Sequence, residues 1–184
     1  MIEGVQLTGG ASRRMGVDKA RLMMVGEPIA ERIARSLAKH CSRVTVLGRE
    51  PLDGCDFMED QEEFAGPLIA LSRFVPTAGA VFVASCDLPR FDGCLVPFLN
   101  SRREGWQAVV PQADGHLQPL CAVYSADAWV TLTHAVEEGK RSLMAWLELL
   151  RYRTIDPEEI ANAGIDPLAI RGANSPEEWA RLRA

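Results

Sequence analysis

Glycines, a hydroxyl group and three cations lie close together near the start of the chain. Residues 7–19 have the sequence LTGGASRRMGVDK and follow an apolar run, residues 2–7, whose pattern predicts a buried first strand. Glycines let backbone N–H groups approach oxygen atoms closely, and arginine and lysine side chains neutralise negative charge. A loop of this composition directly after a strand favours polyphosphate binding. A solvent-exposed turn that is merely basic is the alternative interpretation.

A carboxylate at the end of a second apolar run is the other candidate for chemistry. Asp87 follows residues 80–84, an unbroken apolar stretch that predicts a strand buried on both faces. Burying a carboxylate is costly unless it meets a cation or hydrogen-bond donors. Mg²⁺ binds through one or two protein carboxylates together with waters and phosphate oxygens, so Asp87 is a candidate magnesium ligand. Capping of the next helix is the alternative for Asp87, although Asp92 is better placed for that role.

Apolar runs alternate with segments of helical spacing along the chain. Strands are predicted at 2–7, 44–47, 80–84, 108–110 and 120–124, and helices at 28–40, 66–74, 95–102, 130–137 and 143–150. The tail from residue 156 is predicted to be an ordered loop ending in a short helix that begins at Ser175-Pro176. This alternation predicts an α/β protein with a mostly parallel sheet covered by helices on both faces. In such sheets, ligands bind beyond the carboxyl ends of the strands.

Bulk composition excludes several classes of protein. The 184 residues suit one compact domain, 1–184, and the net charge of -5 disfavours a general electrostatic hold on nucleic acid. No apolar run approaches the roughly 20 residues needed to span a membrane, and residues 1–4 lack a basic leader, so we expect a cytoplasmic protein. Neither G-x-G-x-x-G nor G-x-x-x-x-G-K-[ST] occurs, which disfavours a nicotinamide Rossmann enzyme and a P-loop NTPase. Five cysteines without C-x-x-C, and three histidines without ligand spacing, do not suggest a disulfide framework or a zinc site.

The first loop resembles the signature G-G-x-S-x-R-M-G-x-D-K of the molybdenum cofactor guanylyltransferase family, the MobA-like proteins. The matching residues are Gly9, Gly10, Ser12, Arg14, Met15, Gly16, Asp18 and Lys19. The resemblance implies a three-layer, Rossmann-like nucleotidyltransferase fold. It also implies transfer of GMP from GTP to molybdenum-loaded molybdopterin, with release of pyrophosphate and a requirement for Mg²⁺.

The resemblance also implies roles for individual residues. Arg14, Lys19 and Asp87 would be catalytic, and the C-D-x-P segment at 86–89 would make Asp87 the magnesium ligand. Nucleotide-binding residues would be Leu7, Thr8, Gly9, Gly10, Ser12, Lys19, Asp60, Gly66 and Asp87. Asn174 matches a C-terminal family segment and is a candidate second metal ligand. From the residues alone, a solvated turn is the alternative for Asp60, and a turn or capping role is the alternative for Asn174.

The sequence gives weaker signals for the residues that bind the acceptor and for the base of the nucleotide. Gln118, Lys140, Arg141 and Ser142 resemble family segments that face the pterin, with solvated charge and helix capping as alternatives for the last three. The asparagine common in guanine enzymes is missing from residues 47–50, so a cytidylyltransferase, a sugar-phosphate nucleotidyltransferase and a non-catalytic nucleotide-binding module stay open. Expected partners are GTP, molybdopterin and, transiently, other molybdenum cofactor proteins, but neither nucleic acid nor a membrane.

Overall fold

The computed structural model describes residues 1–9, 19–60 and 66–183. Its strands are β1 (Glu3–Leu7), β2 (Met23–Met24), β3 (Glu27–Pro28), β4 (Val44–Gly48), β5 (Asp56–Glu59), β6 (Ala80–Ser85), β7 (Ala108–Ala113), β8 (His116–Leu117), β9 (Cys121–Ser125) and β10 (Tyr152–Ile155). The main sheet has the order β10-β7-β9-β6-β1-β4-β5, with β8 paired to β7, while β2 and β3 form a separate hairpin. Strand β9 runs antiparallel to both β6 and β7, and the other pairs along this path are parallel.

Helices cover both faces of the sheet, which confirms the predicted three-layer, mostly parallel α/β architecture. They are α1 (Ile29–Ala38), α2 (Pro67–Ser72), α3 (Leu95–Asn100), α4 (Ala128–Glu137), α5 (Leu143–Leu147), α6 (Pro157–Asn162) and α7 (Pro176–Arg183), with short 3-10 helices at Lys19–Arg21 and Pro167–Ile170. One apolar core packs α1, α3, α6 and α7 on one face, and a second core packs α2, α4 and α5 on the other. Among the helices that the structure describes, none has the length and apolar character needed to cross a bilayer.

Local sequence explains the buried elements at the centre of the molecule. All six residues of β6 are buried, as an apolar strand between two helical layers requires. Helix α1 buries Ile29, Ile33 and Leu37, which recur at helical spacing, and leaves Glu31 and Arg35 exposed. Gln6 is fully buried within β1, and its amide donates to the carbonyl of Ala30 at 2.9 Å. This hydrogen bond joins the first turn of α1 to β1.

Five strands and one α-helix of the described structure were not predicted, and three of those strands, β2, β3 and β8, are only two residues long. Strand β5 is largely exposed and β10 is half-buried, so neither carries the apolar run used to identify the others. The expectation of a loop after residue 156 is wrong over α6, where Pro157 starts the helix and Glu158 and Glu159 occupy its first turn. Proline and acidic residues at those positions favour a helix start, and they outweigh the turn-forming composition of the rest of the tail.

One edge of the sheet collects the carboxyl ends of the parallel strands. Leu7, Gly48 and Ser85 are the last residues of β1, β4 and β6, which lie side by side. Because β9 is antiparallel, its first residue, Cys121, lies at this same edge opposite Ala84. The loops that follow or precede these residues therefore meet on one side of the molecule, as open α/β sheets require of a ligand site.

Candidate active site

A cavity of about 310 Å³ lies beyond the ends of β1, β4 and β6 and beside the start of α2. It is lined by Leu7, Thr8, Gly9, Lys19, Leu47, Asp60, Gly66, Pro67, Ala70, Ser85, Cys86, Asp87 and Leu120. The structure thus brings together seven of the residues assigned to nucleotide binding from the sequence. Gly10, Ser12 and Arg14, which the sequence also assigned to this site, lie outside the described residues.

The carboxylate of Asp87 lies at the inner end of this cavity between a hydroxyl and a cation. Ser85 donates a hydrogen bond to Oδ1 of Asp87, and Lys19 Nζ lies 3.5 Å from Oδ2. The side chains of Lys19 and Asp87 are 16% and 23% exposed, so the ion pair is sheltered but open to a ligand. Sequence reasoning missed Ser85, although a hydroxyl at the end of an apolar strand, two residues before Asp87, is a detectable signal.

The C-terminal segment reaches the same carboxylate. Ala173 N–H donates to the backbone carbonyl of Asp87 at 2.8 Å, and Asn174 Oδ1 accepts from Lys19 Nζ at 3.0 Å. A Cβ on Gly172 would lie 3.4 Å from Asp87 Oδ2 and 3.6 Å from Oδ1. Glycine at this position therefore leaves space against the face of the carboxylate. This role of Gly172 was not predicted.

This arrangement fits a magnesium ion. Mg²⁺ retains several waters and takes one or two carboxylates together with phosphate oxygens, so it needs few protein ligands. Asp87 supplies a charged oxygen, Asn174 supplies an amide oxygen nearby, and the missing side chain of Gly172 leaves room beside the carboxylate. Among the described residues, no group of three or more His, Cys, Asp or Glu side chains gathers as a self-contained metal cage. The donor set suits a cation that is shared with a phosphorylated ligand.

Asp60 lies at the other end of the cavity, against the first loop. A Cβ on Gly9 would be 3.0 Å from Asp60 Oδ2, so the carboxylate lies in contact with the glycine backbone. Asp60 N–H donates to the carbonyl of Gly48 at 2.7 Å, and Arg73 Nη1 lies 3.8 Å from Asp60 Oδ1. Asp60 therefore has a fixed place in the cavity wall. Arg73, at the end of α2, is a contact that the sequence pattern did not reveal.

Gly66 forms the wall beside Asp60. Its φ of 94° lies in the region that favours glycine, and it directly precedes Pro67 at the start of α2. A Cβ at this position would lie 3.8 Å from the carbonyl oxygen of Arg141. The segment containing Arg141 therefore passes close to this first cavity, which Gly66 lines.

Thr8 and Gly48 interlock at the mouth of the cavity. A Cβ on Gly48 would lie 1.9 Å from Thr8 Oγ1, so the threonine hydroxyl group occupies the space that a side chain at residue 48 would need.

We expect Gly48→Ala to destabilise the protein by about 1–3 kcal/mol, the usual cost of overpacking. Urea unfolding should show that loss, and Thr8→Ala combined with Gly48→Ala should restore most of it. Equal destabilisation of the single and double variants would contradict the interlock.

A second cavity, of about 660 Å³, opens on the other side of Asp87. It shares Ser85, Asp87 and Leu120 with the first and continues between β7, β9 and the C-terminal segment. Its remaining lining residues are Leu88, Ala113, Asp114, His116, Gln118, Pro119, Cys121, Leu168, Arg171, Gly172, Asn174, Glu178, Arg181 and Leu182. Two ligands that each occupied one cavity would meet at Asp87.

The four residues assigned to the acceptor separate in the structure. Gln118 lines the second cavity, whereas Lys140, Arg141 and Ser142 line neither cavity as the described residues form them. Ser142 caps α5, because its Oγ accepts a hydrogen bond from Met144 N–H at 3.2 Å. Lys140 Nζ pairs with Glu138 at 2.8 Å, and Arg141 donates to the carbonyl of Lys140. Among the residues that the structure describes, Arg171 and Arg181, which were not singled out in the sequence, are the arginines that line this second cavity.

The thiol nearest to the carboxylate in the second cavity is not poised for covalent chemistry. Burial, followed by the negative charge of Asp87, raises the pKa of Cys121 well above its ordinary value. A buried thiol in this state is protonated and a poor nucleophile at neutral pH. Among the described residues, Asp87 has a lysine and a neutral hydroxyl donor beside it, and a second carboxylate, Asp60, lines the first cavity. These groups suit positioning and charge stabilisation better than attack by a protein nucleophile.

The chain is similar to known proteins over most of its length. Residues 4–154 match the family model described as the MobA-like NTP transferase domain. A molybdenum cofactor guanylyltransferase from Desulfosudis oleivorans is 26% identical, and the alignment covers 100% of this chain and 95% of the relative. A probable molybdenum cofactor guanylyltransferase from Opitutus terrae is 32% identical over 81% of this chain and 79% of the relative.

A solved structure shares the fold. The crystal structure of molybdopterin-guanine dinucleotide biosynthesis protein A from Archaeoglobus fulgidus has a TM-score of 0.81 against this chain. The match covers 98% of this chain and 96% of the other, at 21% sequence identity. At that identity the likeness concerns the arrangement of strands and helices.

Proposed function

Because this chain belongs to the MobA-like NTP transferase family, we propose that it transfers GMP from GTP to molybdenum-loaded molybdopterin. The products are the guanine dinucleotide form of the cofactor and pyrophosphate. Relatives named as molybdenum cofactor guanylyltransferases that match nearly the whole chain support this proposal. In this proposal the whole chain, 1–184, acts as one nucleotidyltransferase domain.

The position of Asp87 between two cavities is the observation that carries the proposal. One cavity holds the residues assigned to the nucleotide, and the other is large enough for a second substrate. A transfer reaction needs two substrates that meet at one reacting centre, whereas a nucleotide-binding module needs one pocket. With GTP in the first cavity and molybdopterin in the second, their reacting atoms would meet beside Asp87 and Lys19.

The reaction exchanges one phosphorus–oxygen bond for another. An oxygen of the acceptor's phosphate attacks the α-phosphorus of GTP, and this new bond joins the two phosphates of the dinucleotide. The bond between the α-phosphorus and the oxygen bridging to the β-phosphorus breaks, and its electron pair leaves with pyrophosphate. Charge crowding makes up much of the barrier, so positioning and cations matter more than a covalent intermediate.

The chain supplies these cations from the first loop and its surroundings. Lys19 Nζ, held between Asp87 and Asn174, would move onto the phosphate oxygens when GTP binds. Arg14 is proposed to hold phosphate oxygens from the same loop, since a guanidinium group can bind them through two parallel hydrogen bonds. Asp87, with Asn174 beside it, would hold Mg²⁺. Bound there, the ion neutralises charge on the phosphates of GTP.

The proposed preference for guanine rests on the names of the relatives. The chain lacks the asparagine expected within residues 47–50, so base choice must be measured. We expect that GTP with Mg²⁺ raises the unfolding temperature more than CTP, ATP or UTP, because a ligand stabilises the state that it binds. A larger shift with CTP would assign the chain to cytidylyl transfer.

Turnover tests the acceptor. The purified protein with Mg²⁺, GTP and molybdenum-loaded molybdopterin is expected to release pyrophosphate in step with the dinucleotide product. A parallel reaction with sugar phosphates as acceptors is expected to release none. If GTP binds without pyrophosphate release in every mixture, the chain is a nucleotide-binding module and the proposed function is wrong.

A further inference from the structure

The second cavity must provide a cation for the acceptor if the proposed function holds, because that acceptor enters as a phosphate monoester. A phosphate is best held by an arginine, whose planar fork donates two parallel hydrogen bonds. Arg171 and Arg181 line this cavity, Arg171 from the segment before Gly172 and Arg181 from the last turn of α7. The sequence-based candidates Lys140 and Arg141 do not line it.

Arg171 is held at present by a weak partner. Its guanidinium group forms an ion pair with Asp114, and the two side chains are 42% and 66% exposed. Exposed pairs of this kind contribute roughly 0–1 kcal/mol, so a phosphate dianion can displace the carboxylate at little cost. Asp114 lies in the turn between β7 and β8, with a φ of 51° in the left-handed region. The ion pair therefore keeps the guanidinium group at the cavity wall but is weak enough to be exchanged for a phosphate.

The chain directly after Arg171 touches the reacting centre. Gly172 faces the Asp87 carboxylate, Ala173 N–H bonds to the Asp87 carbonyl, and Asn174 accepts from Lys19. Consecutive Cα atoms are about 3.8 Å apart, so the backbone of Arg171 lies within one residue of the contact with Asp87. Arg171 and Asp87 also line the same cavity, so a phosphate held by this arginine would share that cavity with the carboxylate proposed to hold Mg²⁺.

The segment at 140–142 is placed differently. The carbonyl oxygen of Arg141 approaches Gly66, a wall of the first cavity, and Lys140 is paired with Glu138. Cations at that location lie beside the first cavity, where GTP is proposed to bind, and not beside Gln118 and the C-terminal segment, which line the second. The geometry therefore favours Arg171 over Lys140 and Arg141 for the acceptor.

We infer that Arg171 binds the phosphate of the acceptor after exchanging its ion pair with Asp114, and so determines that this site takes a phosphate monoester. The inference rests on the proposed function for the identity of the acceptor, but it assigns a phosphate-binding role to the arginine whichever phosphorylated molecule enters. Arg181 adds positive potential to the same cavity.

Kinetics of transfer to molybdopterin at saturating GTP and Mg²⁺ test the assignment. Arg171→Ala should raise the acceptor KM between about tenfold and a hundredfold, the range expected for losing hydrogen bonds to a charged group, and leave the Kd of GTP unchanged. Arg171→Lys should give a smaller rise, because a lysine keeps the charge but loses the fork. Asp114→Asn should lower the acceptor KM by up to about fivefold, because it releases the arginine.

A matched pair elsewhere on the surface provides the control. Arg153 and Glu159 form a half-exposed ion pair at 2.9 Å and line neither cavity, so Arg153→Ala and Glu159→Gln should leave the acceptor KM within twofold of wild type. The assignment is overturned if Arg171→Ala stays within twofold of wild type or if Arg141→Ala raises KM as much. A higher acceptor KM for Asp114→Asn would also contradict the assignment of Arg171. If Arg171→Ala does not fold, the acceptor KM values of Arg171→Lys and Asp114→Asn test the assignment instead.

A binding measurement separates this inference from the proposed function. Radiolabelled inorganic phosphate is titrated into the protein with Mg²⁺ and a non-hydrolysable GTP analogue. Arg171→Ala should weaken phosphate binding at least tenfold relative to wild type. If the wild type forms no product but shows this difference, the proposed function fails and the phosphate site stands. If Arg171→Ala forms product with an unchanged acceptor KM, the role of the arginine fails and the function stands.

Discussion

Replacing Asp87 with asparagine is expected to lower kcat for pyrophosphate release about a thousandfold. The change keeps the shape of the side chain and an oxygen that can accept from Ser85, but it removes the negative charge that would hold Mg²⁺ against the phosphates of GTP. A thousandfold loss corresponds to about 4 kcal/mol, the order expected when charge stabilisation by a metal is lost. Steady-state release of pyrophosphate with saturating GTP and acceptor measures it.

Two further measurements make the Asp87→Asn result specific. Binding of Mn²⁺, followed by electron paramagnetic resonance in the presence of a GTP analogue, should weaken in parallel with kcat. Asp92→Asn is the matched control, because the Asp92 carboxylate accepts from Cys94 N–H at 2.8 Å and lines neither cavity. An Asp87→Asn enzyme that keeps its fold and more than a tenth of wild-type kcat would contradict the role given to this carboxylate.

Replacing Lys19 with alanine is expected to lower kcat about a hundredfold while changing the Kd of GTP less than about fivefold. The asymmetry follows from the contacts of the lysine before GTP binds. Its ammonium group already contacts Asp87 at 3.5 Å and Asn174 at 3.0 Å, so binding of GTP exchanges one set of partners for another. The additional stabilisation appears when negative charge builds on the departing pyrophosphate, and it acts on the transition state.

The split between kcat and Kd is the decisive measurement for Lys19. Single-turnover rates and equilibrium titration with GTP should be compared for Lys19→Ala, Lys19→Arg and Arg21→Ala. Arg21 belongs to the same 3-10 helix but pairs with Glu50 at the exposed surface, so its loss should change neither quantity more than twofold. Equal losses in rate and affinity for Lys19→Ala would indicate a lysine that only binds the nucleotide.

The sequence identified the elements whose burial is complete or periodic. Residues 80–84 and 28–40 were predicted because an apolar run and a helical repeat each leave a direct trace in the sequence. Strand β5 left no such trace, since it lies at the sheet edge with most side chains exposed. The sequence also does not indicate that β9 is antiparallel. Its five residues are buried, and a strand buried on both faces has the same composition in either direction.

For the site, the sequence determined which residues stand at strand ends, and the tertiary structure decided which of them meet. Thr8 and Asp87 were identifiable because each follows a strand within a few residues, a purely local relation. The contact of Asn174 with Lys19, and the crossing of the Arg141 segment beside Gly66, depend on how the C-terminal chain returns over the sheet. Such contacts join positions more than 70 residues apart, and their geometry is fixed by packing of whole layers. Composition and spacing carry no record of that packing.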